Sequence, residues 1–264
     1  MVNLGWLDIK DIDFNALLFL EPLHIRYLAT QKPTRALGTT LSHHPAIRWY
    51  LEQKHPPIAD LIAHCLTLAK PNPSNEELRQ AELEVLTGMQ DWLIYLLEPE
   101  RYDQLEFLAW DDDSLLCMAD FKDKIVLDVG SGTGRLAFTI APFAKVVYAI
   151  EPVQNLRQYL YKKREKLSVK NLYPIDGTIT QIPFPDNFAD ILMAGHVFGD
   201  SPEREYQEIC RVVRYGGKIL LHPGTNANAE NDAHRFLVAK GFEYDLFSEP
   251  GDGLKRKYWK TNHK

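Results

Sequence analysis

The chain has 264 residues, 45% hydrophobic and 25% charged, an ordinary soluble globular composition with enough apolar material for a sizeable core in one or two domains. A formal net charge of −6 and a sequence pI of about 5.9 argue against a general nucleic-acid-binding surface, which would be basic. Three dispersed cysteines (Cys65, Cys117, Cys210) with no Cys-x-x-Cys point to reduced thiols and a cytoplasmic setting. The opening run Met-Val-Asn-Leu-Gly-Trp lacks a basic leader and an apolar h-region, so no signal peptide is expected. Apolar runs such as Ala16 to Leu20 are too short to span a bilayer.

Residues 1–120 read as helical. Apolar residues at helical spacing predict a helix over Ile12 to Ala29, and Thr30 to Thr40, with Pro33 and Gly38, a loop. Ser42 is placed to cap a helix through Gln53 with Pro45 in its first turn. Pro56-Pro57 starts another, Ile58 to Ala69, and Pro71-Asn72-Pro73 is a linker. Ser74-Asn75-Glu76-Glu77 has the spacing of a capping box and opens a helix from Glu76 to Leu97. Pro99 breaks it, a short helix is expected over Arg101 to Trp110, and Asp111-Asp112-Asp113 is an acidic turn or helix start.

From Phe121 onward strands and helices alternate, the α/β signature. Strands are predicted at Lys124 to Asp128, Val146 to Glu151, Leu172 to Asp176, Ala189 to Ala194 and Lys218 to His222, the last after a Tyr215-Gly216-Gly217 turn. Helices are predicted at Arg135 to Pro142, Val153 to Leu167, Pro202 to Arg214 and Asn231 to Lys240. Phe242 to Ser248 and Leu254 to Lys260 alternate as strands, and Glu249-Pro250-Gly251-Asp252-Gly253 is a hairpin link.

The chemistry concentrates after the first strand, in Asp128-Val129-Gly130-Ser131-Gly132-Thr133-Gly134. Glycine permits a sharp turn and close ligand approach, and a helix start beyond it offers free N–H groups. The dinucleotide fingerprint fits only in the register of Gly132 and Gly134 with Ala137 at the final place, and no Gly-Lys-Ser/Thr follows for a P-loop. Asp128 would repel a pyrophosphate and suit a cation. Asp-x-Gly-x-Gly-x-Gly after a strand resembles motif I of the class I S-adenosylmethionine-dependent methyltransferases. The closing antiparallel hairpin and Ile182-Pro183-Phe184-Pro185-Asp186-Asn187-Phe188 resemble the same family.

The resemblance implies a Rossmann-like α/β sheet over residues 121–264, mostly parallel. Residues 1–120 carry no signature of the family; their placement before the first strand and their aromatic content suggest a helical cap or lid. It implies S-adenosylmethionine as cofactor and S-adenosylhomocysteine as product. Asp128, Gly130, Gly132 and Gly134 would cradle the methionine part. Glu151, with Pro152 behind it, would take both ribose hydroxyls. Asp176 would accept from the adenine amino group, with Gly177 and Thr178 beside the ring. Bare residue reading leaves Glu151 open as a helix-start charge and Asp176 as an Asx turn. His196, in Ala194-Gly195-His196-Val197-Phe198, falls where the family places residues next to the transferred methyl; it is a candidate general base or a cofactor-packing residue. His222 is a second candidate base. The absence of Asn/Asp-Pro-Pro-Tyr/Phe argues against a nucleobase acceptor and for a small molecule. No metal site is expected, since His43, His44 and His64 lack ligand spacing. The alternatives are a nicotinamide-dependent oxidoreductase, which Arg135 and Asp128 disfavour, and a non-catalytic S-adenosylmethionine-binding protein.

Overall fold

The structure, a computed structural model, describes residues 7–32, 34–224, 226–227 and 230–263. Pro33 of the predicted loop, Thr225 after the fifth strand, and the first six residues, on which the signal-peptide expectation bears, lie outside the described residues. The chain forms two compact units, Met1–Tyr102 and Asp103–Lys264. Among the described residues no helix is long and apolar enough to cross a membrane.

The first unit is helical. Where the periodicity predicts one helix, a 3₁₀ turn, Phe14–Phe19, is followed by α1, Pro22–Ala29. Pro22 has no N–H to continue a helix through it, and so it starts a new one. His24 in α1 is buried; its Nδ1 accepts from the Glu21 N–H at 3.0 Å and its Nε2 lies 2.8 Å from the Tyr95 hydroxyl. Burial lowers its pKa to about 4. Thr34 caps α2, Arg35–His43, by accepting from the Leu37 N–H at 3.1 Å. Residues 35–40 of the segment expected to be a loop are therefore helical. Gly38 is there for packing: a Cβ at this position would lie 1.9 Å from the carbonyl oxygen of Cys65.

Helix α3, Pro45–Lys54, has Pro45 in its first turn as expected, but His44 and not Ser42 is its N-cap. Ser42 belongs to α2, where its hydroxyl donates to the Thr39 carbonyl at 2.8 Å. A 3₁₀ turn, Pro56–Ile58, leads into α4, Ala59–Leu68. The Ser74 capping box opens α5, Asn75–Thr87: Ser74 Oγ accepts from the Glu77 N–H at 3.2 Å, and Glu77 Oε2 accepts from the Ser74 N–H at 2.9 Å. The expected single helix to Leu97 is broken at Gly88, and α6 is Gln90–Leu97. A short α7, Pro99–Tyr102, follows.

The second unit opens with a 3₁₀ turn, Glu106–Leu108, inside the stretch expected as a helix over Arg101 to Trp110, and α8, Asp113–Leu116, starts on the acidic run Asp111-Asp112-Asp113. Trp110 and Leu115 are buried in the sheet's core, so residues 103–120, expected in the helical region, pack with the sheet. Then follow β1 (Ile125–Val129), α9 (Arg135–Ile140), β2 (Val146–Ile150), α10 (Gln154–Lys166), β3 (Leu172–Ile175), β4 (Ala189–Gly195), α11 (Pro202–Val212), β5 (Val213–His222), α12 (Asp232–Ala239), β6 (Glu243–Glu249) and β7 (Gly253–Thr261). The Tyr215-Gly216-Gly217 turn is taken into β5, whose pairing with β4 shifts register between Ala189 and Ile191.

The sheet order is β3-β2-β1-β4-β5-β7-β6, with β7 antiparallel to both neighbours. Successive residues of the central strands feed opposite faces. Val126, Val147, Ile191 and Leu220 pack with Leu136 and Ile140 of α9 and Leu160 of α10. Leu127, Leu192, Ile219 and Leu221 pack with Ile209 of α11 and Leu237 of α12. A strand buried on both faces reads as a continuous apolar run. The chain steps outward from β1 to β3 and then returns to lay β4 on the other side of β1. This reversal opens a crevice at the carboxyl ends of β1 and β4, where open α/β sheets bind ligands.

Candidate functional site

The glycine turn joins β1 to α9 at that crevice. Gly130, Gly132 and Gly134 all have positive φ, at +71°, +54° and +87°. Their reasons differ. A Cβ on Gly130 would fall 2.2 Å from Val197 Cγ1, and one on Gly134 would fall 2.6 Å from Phe138 Cδ2, so these two serve packing. A Cβ on Gly132 would meet nothing within 4 Å: that position faces open space.

Asp128 is fully buried beneath the turn. Its Oδ2 accepts from the Ala137 N–H at 3.1 Å, while Oδ1 has no partner among the described residues. Burial, opposed by hydrogen bonds involving Ser131 and Ala137 and reinforced by the charge of Glu151, raises its pKa to about 7. Glu151 follows β2 and is 4% exposed. It ties two backbones: Oε2 accepts from the Gly132 N–H at 2.8 Å and Oε1 from the Val153 N–H at 2.9 Å, across Pro152. Burial outweighs these bonds and raises its pKa to about 7 as well. Each carboxylate oxygen has a second lone pair, so Glu151 retains acceptor capacity.

Asp176 follows β3. Register pairs Val129 with Ile150 and Ile150 with Ile175, which sets Glu151 and Asp176 one step beyond matched strand ends. Asp176 is exposed and accepts from Arg157 Nη1 at 3.0 Å; the same nitrogen donates to the Glu151 carbonyl at 2.7 Å. Arg157 was not legible as a site residue, because α10 reads as an ordinary basic helix. A cavity of about 570 Å³ is lined by Asp176, Gly177, Thr178, Gln181, Ile182, Pro183 and Phe184. Asp128, Glu151 and Asp176 thus stand at three adjacent strand ends, although only Asp176 is solvent-facing.

The two histidines part company. His222, at the end of β5, is 2% exposed, stacked on Trp110 at 5.5 Å and edge-on to Phe247 at 5.4 Å. Neither ring nitrogen has a partner among the described residues, and burial, with smaller contributions from His196 and Lys257, lowers its pKa to about 3. This is a packed ring, poorly placed to take a proton. His196 follows β4 with φ +59°, an uncommon conformation for a residue with a side chain. Its N–H donates to the His222 carbonyl at 2.7 Å. Its ring is partly exposed, with Nε2 2.8 Å from Glu249 Oε1.

Residues 103–112 run as a strap along these strand ends. Lys163 and Tyr159 of α10 donate to the Asp103 carboxylate. Arg135, the first residue of α9, donates from Nε to the Leu108 carbonyl at 2.6 Å and from Nη2 to the Trp110 carbonyl, and its guanidinium lies 4.4 Å from the centre of the Trp110 ring. Phe107 comes to 5.9 Å from the His196 ring. Arg135 therefore has a definite use, to hold the strap against the glycine turn.

An orphaned buried carboxylate oxygen under the turn, bare backbone at Gly132 and a second carboxylate with spare lone pairs fit a ligand that is cationic at one end and carries a sugar. The comparisons agree. Residues 127–221 match the methyltransferase domain family. An uncharacterized methyltransferase of Geobacillus thermodenitrificans is 31% identical over 189 residues, covering 67% of this chain and 83% of that protein. One of Geobacillus kaustophilus is 32% identical over 189 residues, with the same coverage. A demethylmenaquinone methyltransferase of a Geobacillus species is 32% identical over 119 residues, covering 43% of this chain and 50% of that protein. The chain belongs to the class I S-adenosylmethionine-dependent methyltransferases.

Proposed function

We propose that the protein methylates a small-molecule acceptor in the cytoplasm, with the cofactor held by the glycine turn, Glu151 and Asp176. The observation that carries the cofactor pose is Glu151 bonded to the Gly132 N–H, which brings the ribose-type acid and the open glycine together. When bound, S-adenosylmethionine supplies an electrophilic methyl group on a sulfonium. Asp128 sets negative charge beneath the turn, Glu151 accepts the ribose hydroxyls, and the cavity beside Asp176, Gly177 and Thr178 receives the adenine. Alignment of acceptor and methyl group supplies much of the acceleration.

The acidic net charge and the demethylmenaquinone methyltransferase among the relatives support a small-molecule acceptor over nucleic acid. The helical unit is proposed to contribute to acceptor choice. Calorimetry with S-adenosylhomocysteine, alongside NADH as a control, tests the cofactor reading. Incubation of a metabolite extract with S-adenosylmethionine carrying a labelled methyl, with RNA and DNA in parallel, tests the acceptor class. Label in small molecules alone supports the reading; NADH binding without S-adenosylhomocysteine binding, or label only in nucleic acid, overturns it.

The glycines make a sharper prediction. Gly132→Ala at φ +54° costs about 1 kcal/mol of backbone strain, seen as a melting temperature about 2–4 °C lower. It nevertheless lowers S-adenosylhomocysteine affinity by about tenfold or more, roughly 1.4 kcal/mol, because its methyl occupies ligand space. Gly130→Ala adds a clash with Val197 to its strain and lowers the melting temperature further. Wild-type affinity in a folded Gly132→Ala variant refutes the pose.

A further inference from the structure

The ends of β4 and β6 bring together one imidazole–carboxylate pair. His196 follows β4, and Glu249 closes β6, which runs parallel to β5 because both are antiparallel to β7. Glu249 is 1% exposed; its Oε1 faces His196 Nε2 at 2.8 Å, and its Oε2 has no partner among the described residues. In the arrangement where the Glu249 carboxylate accepts this bond, the imidazole proton sits on Nε2 and Nδ1 keeps its lone pair. Gly224 packs against the ring: a Cβ there would fall 2.3 Å from Nδ1, 2.6 Å from Cε1 and 3.0 Å from Cγ, so only glycine leaves the imidazole in this position. The His196 backbone is held at φ +59° by its N–H bond to the His222 carbonyl, an unfavourable conformation of a kind that gathers at functional sites.

We propose that His196 and Glu249 form an acceptor-deprotonating pair, with His196 the catalytic base, Glu249 its positioning residue, and a hydroxyl, alcoholic or phenolic, as the acceptor group. The proposal rests on the cofactor reading above. The acceptor O–H gives its proton to His196 Nδ1. The electron pair left on that oxygen forms the bond to the methyl carbon as the carbon–sulfur pair stays on sulfur. The resulting imidazolium lies against the Glu249 carboxylate until its proton passes to water. A carboxylate that can only accept selects the tautomer, and a buried one holds the ring in one orientation. An acceptor already ionised in solution has no need of the pair.

The test uses the full chain with phenol, catechol and 4-nitrophenol as acceptors and labelled S-adenosylmethionine, at a pH where only 4-nitrophenol is largely ionised. His196→Ala is expected to lower kcat toward phenol and catechol by about a hundredfold or more, and toward 4-nitrophenol by less than about threefold. Added imidazole should restore part of the lost rate. Glu249→Gln should lower kcat toward phenol by about tenfold without changing KM for S-adenosylmethionine. Independently of turnover, imidazole nitrogen NMR should place the His196 proton on Nε2 in the wild type and show mixed tautomers in Glu249→Gln. Equal losses toward all three acceptors, methyl on carbon alone, no methylation of any of them, or a His196 tautomer unaffected by Glu249→Gln each overturn the proposal. S-adenosylhomocysteine titrated into the same wild-type preparation separates the failures: if it binds, only the pair is wrong; if it does not, the cofactor reading falls and the pair with it.

Discussion

In Glu151→Ala, S-adenosylhomocysteine affinity is expected to fall by at least about a hundredfold while the fold survives. The carboxylate is proposed to accept two ribose hydroxyls, and hydrogen bonds to a charged group contribute about 1.5–3 kcal/mol each. Its loss also strips the Gly132 and Val153 N–H groups of their acceptor, which loosens the turn the ligand lies on. Stability moves much less, because removing a buried carboxylate also removes its desolvation cost, the effect that raises its pKa to about 7. Glu151→Gln is not a conservative test: one amide end must present N–H to a backbone N–H. The effect can be assigned to the sugar by comparing S-adenosylhomocysteine with its 2′,3′-dideoxy analogue. Wild type should prefer the natural ligand strongly, and Glu151→Ala should barely distinguish them. Affinity within threefold of wild type in a folded Glu151→Ala variant refutes the ribose assignment.

The sheet was legible because the central strands are buried on both faces. Runs such as Val126-Leu127 and Ile191-Leu192-Met193-Ala194 have no polar interruption, and Gly, Pro and Asp punctuate their ends. The glycine turn was legible for the same local reason, since positive φ is written as glycine. The helical unit was harder. Gly38 looks like a loop residue in one dimension and is a helix–helix contact in three. The strap was invisible because Arg135 meets carbonyls 25 and 27 residues back, a pairing no local pattern encodes. Glu249 did leave a trace: strand alternation from buried Phe247 past exposed Ser248 sends it inward, so the hairpin's acid was never a surface charge. Reading Glu249-Pro250-Gly251-Asp252-Gly253 only as a turn concealed it. Conversely, His222 looked as available as His196, and only Trp110, more than a hundred residues earlier in the chain, shows that it is sealed.

Cofactor affinity is expected to climb as pH rises from 5.5 to about 7 and then to level off. Asp128 and Glu151 are both raised to about 7 from their ordinary values of 3.8 and 4.5, chiefly by burial. In the ligand-free protein, then, the folded state holds protons that the unfolded state has already released between about pH 4 and 7. Their contribution to folding is fully present below pH 4 and is lost as pH rises through about 7. A ligand bearing a positive ammonium, and in S-adenosylmethionine a sulfonium too, favours the ionised carboxylates and so binds with release of protons. For one carboxylate that must ionise, affinity rises by up to about tenfold per pH unit below its pKa. S-adenosylhomocysteine calorimetry across this range, in two buffers of different ionisation enthalpy, measures both the slope and the protons released. The gap in melting temperature between bound and free protein should widen over the same interval, because only the free protein carries the unrelieved buried charges. Asp128→Asn should remove Asp128's share of the slope and leave that of Glu151. If affinity stays flat from pH 5.5 to 8 with no proton release, Asp128 does not answer to the cationic end of the ligand and its place in the proposed pose falls.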